Sequence, residues 1–426
     1  MTRRRVLLVS HVFPPLVAGG APRMGQFARM LPEFGWDVTV LTAKHDGVDK
    51  RALEALASRA TIVETWSPSS ALVRRGVAAP KRGLRGLARR TLRTAALSLV
   101  FPDREVFWVP GAIAAGRHAL ATTPHDLVLA THGPASDLVV GRTLARAARL
   151  PLVVDFRDLW STLPMPVFTT PLHRAAARRL EQSIVRDASR LVAVAPRMAE
   201  DLATTHGIAF DRAISITNGF DPDDAPRVRD HRAGPFRLMY TGSVHAHYDL
   251  DPFWRAVKAL AKRGAISPNT FRVEFVGNLA MSDLRSFGID EFVEHKPFVA
   301  HDEVFDELAR ADALLVVETP GYYARYGYAA KVFDYLLTGK PVLALVEEGG
   351  NTSRLLREAG VGYGAEPSDG PGVLAALERV LALKGAPPRR VDCDAPPLGA
   401  FNRRHLVARL AAALDDVARS EPRGHW

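Results

Sequence analysis

The stretch Tyr326-Gly-Tyr-Ala-Ala-Lys-Val-Phe-Asp-Tyr-Leu-Leu-Thr-Gly-Lys-Pro-Val-Leu-Ala344 carries residues suited to an anionic, hydroxyl-rich ligand. Its pattern predicts a Gly/Tyr loop, a short helix from Ala330 to Leu337 ended by Gly339, and an apolar strand from Val342 to Leu345. A loop entering a helix presents free backbone N–H groups and the positive end of the helix dipole. Lys331, next to Ala330, adds a full charge at that junction. Asp334, one turn on, can accept hydrogen bonds from sugar hydroxyls. Amides and a lysine for phosphate, with a carboxylate for ribose, equip a site for a nucleotide sugar. Helix, glycine and strand are also ordinary α/β punctuation, so other segments must decide.

Four further segments place chemistry at the ends of apolar runs. Ser10-His-Val-Phe-Pro-Pro-Leu-Val-Ala-Gly-Gly-Ala21 follows the first predicted strand. His11 opens this loop, and Gly19 and Gly20 let a backbone approach a ligand closely. The spacing is neither the GxGxxG dinucleotide fingerprint nor a P-loop. Ala130-Thr-His-Gly-Pro134 puts His132 where it can touch a ligand or move a proton. Val154-Asp-Phe-Arg-Asp-Leu-Trp160 offers Arg157 for phosphate and Asp155 or Asp158 for hydroxyls; an internal Asp–Arg pair is the structural alternative. Tyr240-Thr-Gly-Ser-Val-His-Ala-His-Tyr248 brings Gly242 and Ser243 to a strand end, with His245 and His247 beyond. The segment has no nearby carboxylate set, so no metal site is expected there. Thr217-Asn-Gly-Phe-Asp221 reads as a turn.

Positioning these residues falls to two runs of alternating strands and helices. In the first, strands are predicted at 6–10, 38–41, 127–130, 152–155 and 191–194, with helices at 22–34, 135–149, 171–187 and 197–206. A polar, proline-rich connector covers 221–235. In the second, strands are predicted at 237–241, 273–276, 313–317 and 342–345, with helices at 252–263, 302–310, 330–337 and 371–383. A final helix is predicted at 402–419. Such alternation implies α/β architecture, with parallel sheets covered on both faces and ligands at the carboxyl ends of the strands. The expected division is 1–222, 236–400 and a closing helical segment 401–426 that crosses back to the first domain.

The chain's 426 residues and 47% apolar content fit two domains with real cores. No uninterrupted apolar stretch of about 18 residues occurs, so no spanning helix is expected. The apolar run after Arg3-Arg4-Arg5 is too short for a signal peptide. The lone Cys393 excludes an internal disulfide framework, and a cytoplasmic protein is expected. The net charge is +10, but Ala71 to Pro102 holds eight basic residues and no acidic ones. Removing those eight leaves +2, which argues against a general nucleic-acid surface.

Taken in order, Phe-Pro-Pro…Gly-Gly, Asp-Phe-Arg-Asp-Leu-Trp, Asn-Gly-Phe-Asp, Tyr-Thr-Gly-Ser and Ala-Lys-Val-Phe-Asp-Tyr-Leu…Gly-Lys-Pro-Val resemble glycosyltransferase family 4 over roughly residues 3 to 385. The resemblance implies a GT-B fold, two Rossmann-like domains facing a central cleft. It implies a retaining, metal-independent transfer from a nucleotide sugar, here a UDP- or GDP-sugar, with no other cofactor. Under it, Gly19 and Gly20 match the glycine loop near the donor diphosphate and acceptor. His132 matches the histidine that contacts the transferred sugar, and Phe298-Val299 the segment that reads the base. Asp334 matches the second carboxylate of a paired motif whose first member would fall at Tyr326; Glu318 lies upstream of it. The family's Arg and Lys after the Tyr-Thr-Gly strand are missing, with Ser243 and His245 in their place. Lys331 is then the first choice to meet the diphosphate, followed by Arg325 and Arg157. The catalytic candidates are therefore His132, Lys331 and Asp158. The donor-binding set adds Gly242, Ser243, His245, Phe298, Val299, Ala330 and Asp334, and the acceptor side comprises His11, Asp155 and Arg157.

Leu84, Leu87, Ala88, Leu92, Ala95 and Leu99 recur at helical spacing beside Arg85, Arg89 and Arg93. A basic amphipathic helix over 74–100 suits peripheral contact with an anionic membrane and a lipid-linked acceptor in envelope polysaccharide or glycolipid synthesis. If that helix packs inward instead, a small soluble acceptor such as a natural-product scaffold fits better. A sugar-nucleotide epimerase and a catalytically weak nucleotide-sugar-binding protein are the alternatives from other classes.

Overall fold

The computed structural model describes residues 3–16, 20–45, 50–68, 100–163, 170–224, 234–244, 248–279, 287–299 and 301–420. The chain divides into two units: residues 1–217 with 407–426, and residues 218–406.

The first unit is built on seven strands: β1 (Arg4–Val9), β2 (Trp36–Ala43), β3 (Thr61–Thr65), β4 (Leu127–His132), β5 (Leu152–Phe156), β6 (Arg190–Ala193) and β7 (Ala213–Ser215). They pair in parallel in the order β3-β2-β1-β4-β5-β6-β7. Connecting helices are α1 (Ala21–Met30), α2 (Lys50–Ala57), α3 (Val109–Thr122), α4 (Ala135–Ala148), α5 (Pro171–Asp187) and α6 (Pro196–His206). Val6, Leu7, Leu8 and Val9 of β1 are all fully buried, as a central strand covered on both faces requires. The predicted helix 22–34 is shorter than its pattern: α1 ends at Met30 and a 3₁₀ turn Leu31–Phe34, which contains Pro32, runs into Gly35.

The second unit has six strands: β8 (Phe236–Ser243), β9 (Phe271–Asn278), β10 (Val293–Lys296), β11 (Ala313–Val317), β12 (Val342–Leu345) and β13 (Gly362–Ala365). Their order is β10-β9-β8-β11-β12-β13, all parallel. Its helices are α7 (Asp251–Lys262), α8 (His301–Arg310), α9 (Tyr322–Tyr326), α10 (Val332–Thr338), α11 (Asn351–Glu358) and α12 (Gly370–Leu381). Alternate side chains serve opposite faces. Leu238, Tyr240, Leu315, Val317, Leu343 and Leu345 pack with Phe253 and Trp254 of α7 and Val373 and Leu377 of α12. Met239, Leu314, Val316, Val342 and Ala344 pack with Leu308 of α8, Phe333 and Leu336 of α10 and Leu355 of α11.

The last helix, α13 (Arg403–Ser420), starts in the second unit, and from Val407 it belongs to the first. There Asp415 receives hydrogen bonds from Arg4 of β1 (2.5 Å) and the Trp36 indole of β2 (3.1 Å).

The Gly339-Lys340 pair after α10 has a structural explanation. Gly339 has φ +63°, and a Cβ there would lie 2.1 Å from the Arg389 carbonyl oxygen. Lys340 Nζ donates to the carbonyls of Leu308, Ala309 and Ala311 at 2.7, 2.8 and 2.5 Å, closing the C-terminal end of α8. Lys340→Met leaves these carbonyls without the ammonium. It is expected to lower the unfolding free energy by roughly 1–3 kcal/mol in denaturant titration, with unchanged ligand affinity.

Candidate active site

Both sheets reverse their winding direction at one place: between β1 and β4 in the first unit, and between β8 and β11 in the second. An open α/β sheet leaves its ligand crevice at the carboxyl ends of the strands flanking such a reversal.

In the first unit, His11 follows β1, His132 ends β4 and Gly20 caps α1. Arg157, just after β5, joins them. Its guanidinium donates to the carbonyl oxygens of His132 (2.8 Å) and Gly133. A Cβ on Gly20 would lie 1.8 Å from Arg157 Nη1, and one on Gly133 2.1 Å from Nη2. A side chain at position 20 would therefore have to displace the Arg157 guanidinium. Burial lowers the Arg157 pKa, opposed by Asp155, Asp158 and Asp137.

His132 is 8% exposed and lies between the rings of Phe156 and Trp160, centroids 5.8 and 5.7 Å away. Burial pushes its pKa from 6.5 to about 4, so the ring is neutral near pH 7. It bonds to the backbone of Asp158, while Nδ1 is buried with no partner among the described residues. A neutral imidazole with a free ring nitrogen can accept a hydrogen bond from a ligand hydroxyl. Trp160 is held by its neighbour: Ser161 N–H donates to Glu181 (2.7 Å), whose other oxygen meets His206 Nε2 (3.1 Å). Burial alone would raise the Glu181 pKa, but these bonds outweigh it and hold the carboxyl below its usual range.

Three expectations about this unit change. Asp155 carries the fold instead of facing an acceptor. It is fully buried, and its carboxylate takes Arg23 Nη2 (2.7 Å), Arg23 Nε and Thr131 Oγ1 (2.9 Å). Asp155 thus pairs outside its own segment, with Arg23 on α1, which also donates to the Ile216 carbonyl (2.7 Å). His11 is likewise packed inward at 3% exposure, edge-on to His45 and Trp108 and 3.1 Å from Ser67 Oγ. Burial, then His45, lowers its pKa to about 3. Asp158 is exposed overall, yet its carboxyl is desolvated enough beside Arg157 to raise its pKa, and its backbone bonds to His132. The sequence gives little notice of Asp137, a fully buried carboxyl on α4. It accepts the His11 N–H (2.9 Å), and burial raises its pKa strongly.

In the second unit, β8 ends at Gly242 (φ +104°) and Ser243. The helix starts at Val332, two residues later than its pattern suggests, which makes Lys331 the N-cap and leaves Ala330 exposed in the loop. Lys331 Nζ sits over the Tyr240 ring, 4.5 Å from its centroid, and a Cβ on Gly242 would be 3.7 Å from Lys331 Cε. Burial lowers the Lys331 pKa to about 8 against the pull of Glu318 and Asp334. Asp334, on the first turn of α10, is half-buried. Tyr335 on the same helix receives the Thr241 N–H at its hydroxyl (3.0 Å), tying α10 to β8. Phe298, past β10, is 65% exposed, whereas Val299 packs against the core. The structure thus brings Lys331, Gly242 and Tyr240 together. Gly19, His245, His247 and the basic segment 74–99 lie outside the described residues.

Among the described residues no group of three or more His, Cys, Asp or Glu is arranged to hold a metal, and no helix is long and apolar enough to cross a membrane.

The family described as Glycosyltransferase Family 4 matches residues 17–224, which include the glycine loop, His132 and Arg157. A glycogen synthase of Mycobacterium tuberculosis is 24% identical over 401 residues, 91% of this chain and 88% of that one. The chain is a glycosyltransferase of the GT-B fold whose residues 17–224 match family 4. The enzyme's fold is shared with a sucrose-phosphate synthase of Thermosynechococcus elongatus (TM-score 0.60, 14% identity, covering 98% of this chain and 97% of that one). It is shared as well with a glycosyltransferase of Rickettsia africae (TM-score 0.59, 11% identity, covering 99% and 97%). The family match implies a nucleotide-sugar donor and an acceptor as substrates.

Two outcomes are expected of the first unit. Gly20→Ala displaces Arg157, so it destabilises the enzyme in a wild-type background and much less in an Arg157→Ala background. A double-mutant cycle should give a coupling of about 0.5–3 kcal/mol. The histidines set a pH dependence. Below pH 6.5 the unfolded chain takes up protons that folded His132 and His11 refuse until about 4 and 3, so stability falls with pH across that window. Chemical unfolding between pH 7 and 4 should show a shallower slope for His132→Gln.

Proposed function

We propose that the enzyme transfers a sugar from a UDP- or GDP-sugar, with retained anomeric configuration, to a small or lipid-linked acceptor of envelope polysaccharide or glycolipid synthesis. The observation that carries the donor half is Lys331. A half-buried cation stands at the winding reversal of the second sheet, backed by the Tyr240 ring and beside the open backbone of Gly242. A diphosphate leaving group needs a preorganised positive charge where its own negative charge develops. Lys331 supplies it, and Asp334, one turn on, would accept from the ribose hydroxyls. Exposed Phe298 offers a flat face on which a base can stack.

In the first unit, neutral His132 would accept from a hydroxyl of the transferred sugar, and Arg157 adds charge near the acceptor. Asp155 and Glu181 are engaged by hydrogen bonds, and burial disfavours the ionised form of Asp137. This favours a retaining reaction in which the departing phosphate oxygen itself takes the acceptor proton. The acceptor half of the proposal rests on the basic run between Ala71 and Pro102, a pattern suited to an anionic membrane surface and peripheral attachment.

Thermal-shift measurements with UDP, GDP, TDP, ADP and CDP test the donor half. One nucleotide is expected to raise the melting temperature of the wild type and to have no effect on Lys331→Ala and a reduced effect on Asp334→Ala. Because Lys331 loses its proton near pH 8, nucleotide affinity should decline above that pH in the wild type and hold in Lys331→Arg. The absence of a shift with every nucleotide in the millimolar range would defeat the reading.

A further inference from the structure

Glu318 follows β11 directly, and its N–H extends the ladder by donating to the Leu345 carbonyl (3.1 Å). It is 6% exposed. One carboxylate oxygen receives the Thr352 hydroxyl (3.2 Å). Thr352 is fully buried, and its oxygen in turn receives the Ala329 N–H (3.0 Å), so the hydroxyl is oriented to donate to Glu318. The second carboxylate oxygen is buried with no partner among the described residues, and so is the adjacent Thr319 hydroxyl. A buried carboxylate oxygen and a hydroxyl side by side at the end of one strand call for a hydrogen-bond partner, which a ligand hydroxyl can supply.

The position limits what that ligand can be. β11 flanks the winding reversal, and Glu318 is close enough to Lys331 for each to perturb the other's ionisation. A carboxylate repels phosphate, so within a nucleotide sugar Glu318 suits the uncharged pyranose that comes next after the diphosphate. Burial raises the Glu318 pKa to about 7, countered by Thr352 and Lys331, which lets the group either accept or donate near neutrality. Tyr248 feels the charge of both Glu318 and Tyr323, which places aromatic surface in the same neighbourhood. Tyr326, where the family resemblance would put a carboxylate, instead packs on Tyr322 (5.0 Å between centroids) and under the Arg325 guanidinium (5.2 Å).

We propose that Glu318, aided by the Thr319 hydroxyl, grips hydroxyl groups of the donor's sugar, so that a carboxylate at the end of β11 replaces the one missing at Tyr326. This rests on the donor-site reading of Lys331.

Calorimetric titration of the full-length protein with UDP-glucose and UDP, and with GDP-mannose and GDP, tests it. Glu318→Ala and the isosteric Glu318→Gln are expected to weaken the nucleotide sugar by about tenfold or more, while changing the matching nucleoside diphosphate by less than about twofold. Tyr326→Phe should bind both like the wild type. Equal losses for sugar-bearing and sugar-free ligands, or no loss for either, would overturn the assignment while leaving the donor site standing. A greater loss of sugar discrimination in Tyr326→Phe than in the Glu318 variants would overturn it too. Wild-type protein that binds no nucleotide sugar and no nucleoside diphosphate would remove the donor-site reading and this inference with it.

Discussion

A parallel strand covered on both faces has little room for an unpaired polar side chain except near its ends. That constraint organises both units. Val6 to Val9, Leu127 to Ala130 and Ala313 to Val317 are buried throughout, and polar groups begin immediately beyond them: Ser10 and His11, Thr131 and His132, Glu318 and Thr319. The sheet order then selects among the strand ends. Only at the winding reversal do helices leave in opposite directions and open a crevice. Among the buried polar atoms left unmatched within the described residues, those of His132 and Glu318 stand there.

Holding such groups requires fixed charge behind them. In the first unit Asp155 anchors Arg23, and through it the Ile216 carbonyl, while Glu181 fixes the loop that sets Trp160 against His132. Breaking a buried pair by removing one partner leaves a charge stranded in low dielectric, which is why such pairs tolerate little change. In the second unit the support is more aromatic. Tyr335 ties α10 to β8, and Tyr240 carries Lys331 on its ring face. A cation held against a ring loses part of its hydration, consistent with the pKa that burial lowers at Lys331.

The glycines divide by cause. Gly20 has an ordinary φ of −89° and makes room for the Arg157 side chain; Gly339 is required by φ and by the Arg389 backbone. Lys340 closes the end of α8. Lys331, nine residues earlier, stands instead against the Tyr240 ring, so two lysines of one motif differ in surroundings that only the fold sets.

The sequence by itself determined the central strands, because burial on both faces leaves a continuous apolar run: β11 and β12 have the residues their pattern implies. It did not reveal β3, β7, β10 or β13, and each of these is an edge strand. Edges are half-exposed and short, so Val293–Lys296 reads Val-Glu-His-Lys and Gly362–Ala365 reads Gly-Tyr-Gly-Ala, with no periodic signal. The positions at strand ends were legible as chemistry, but their division of labour was not. Asp155 and Asp158 are three residues apart and look equivalent in sequence, yet one is buried against Arg23 and the other is exposed. That choice depends on which α1 residue the chain brings back across more than a hundred positions. Likewise, Glu318 stands out only once β11 and β12 pair and α11 delivers Thr352 to it. Local pattern reports which residues are available. Tertiary packing decides which of them lose their partners to the fold and which keep a lone pair or a charge for a ligand.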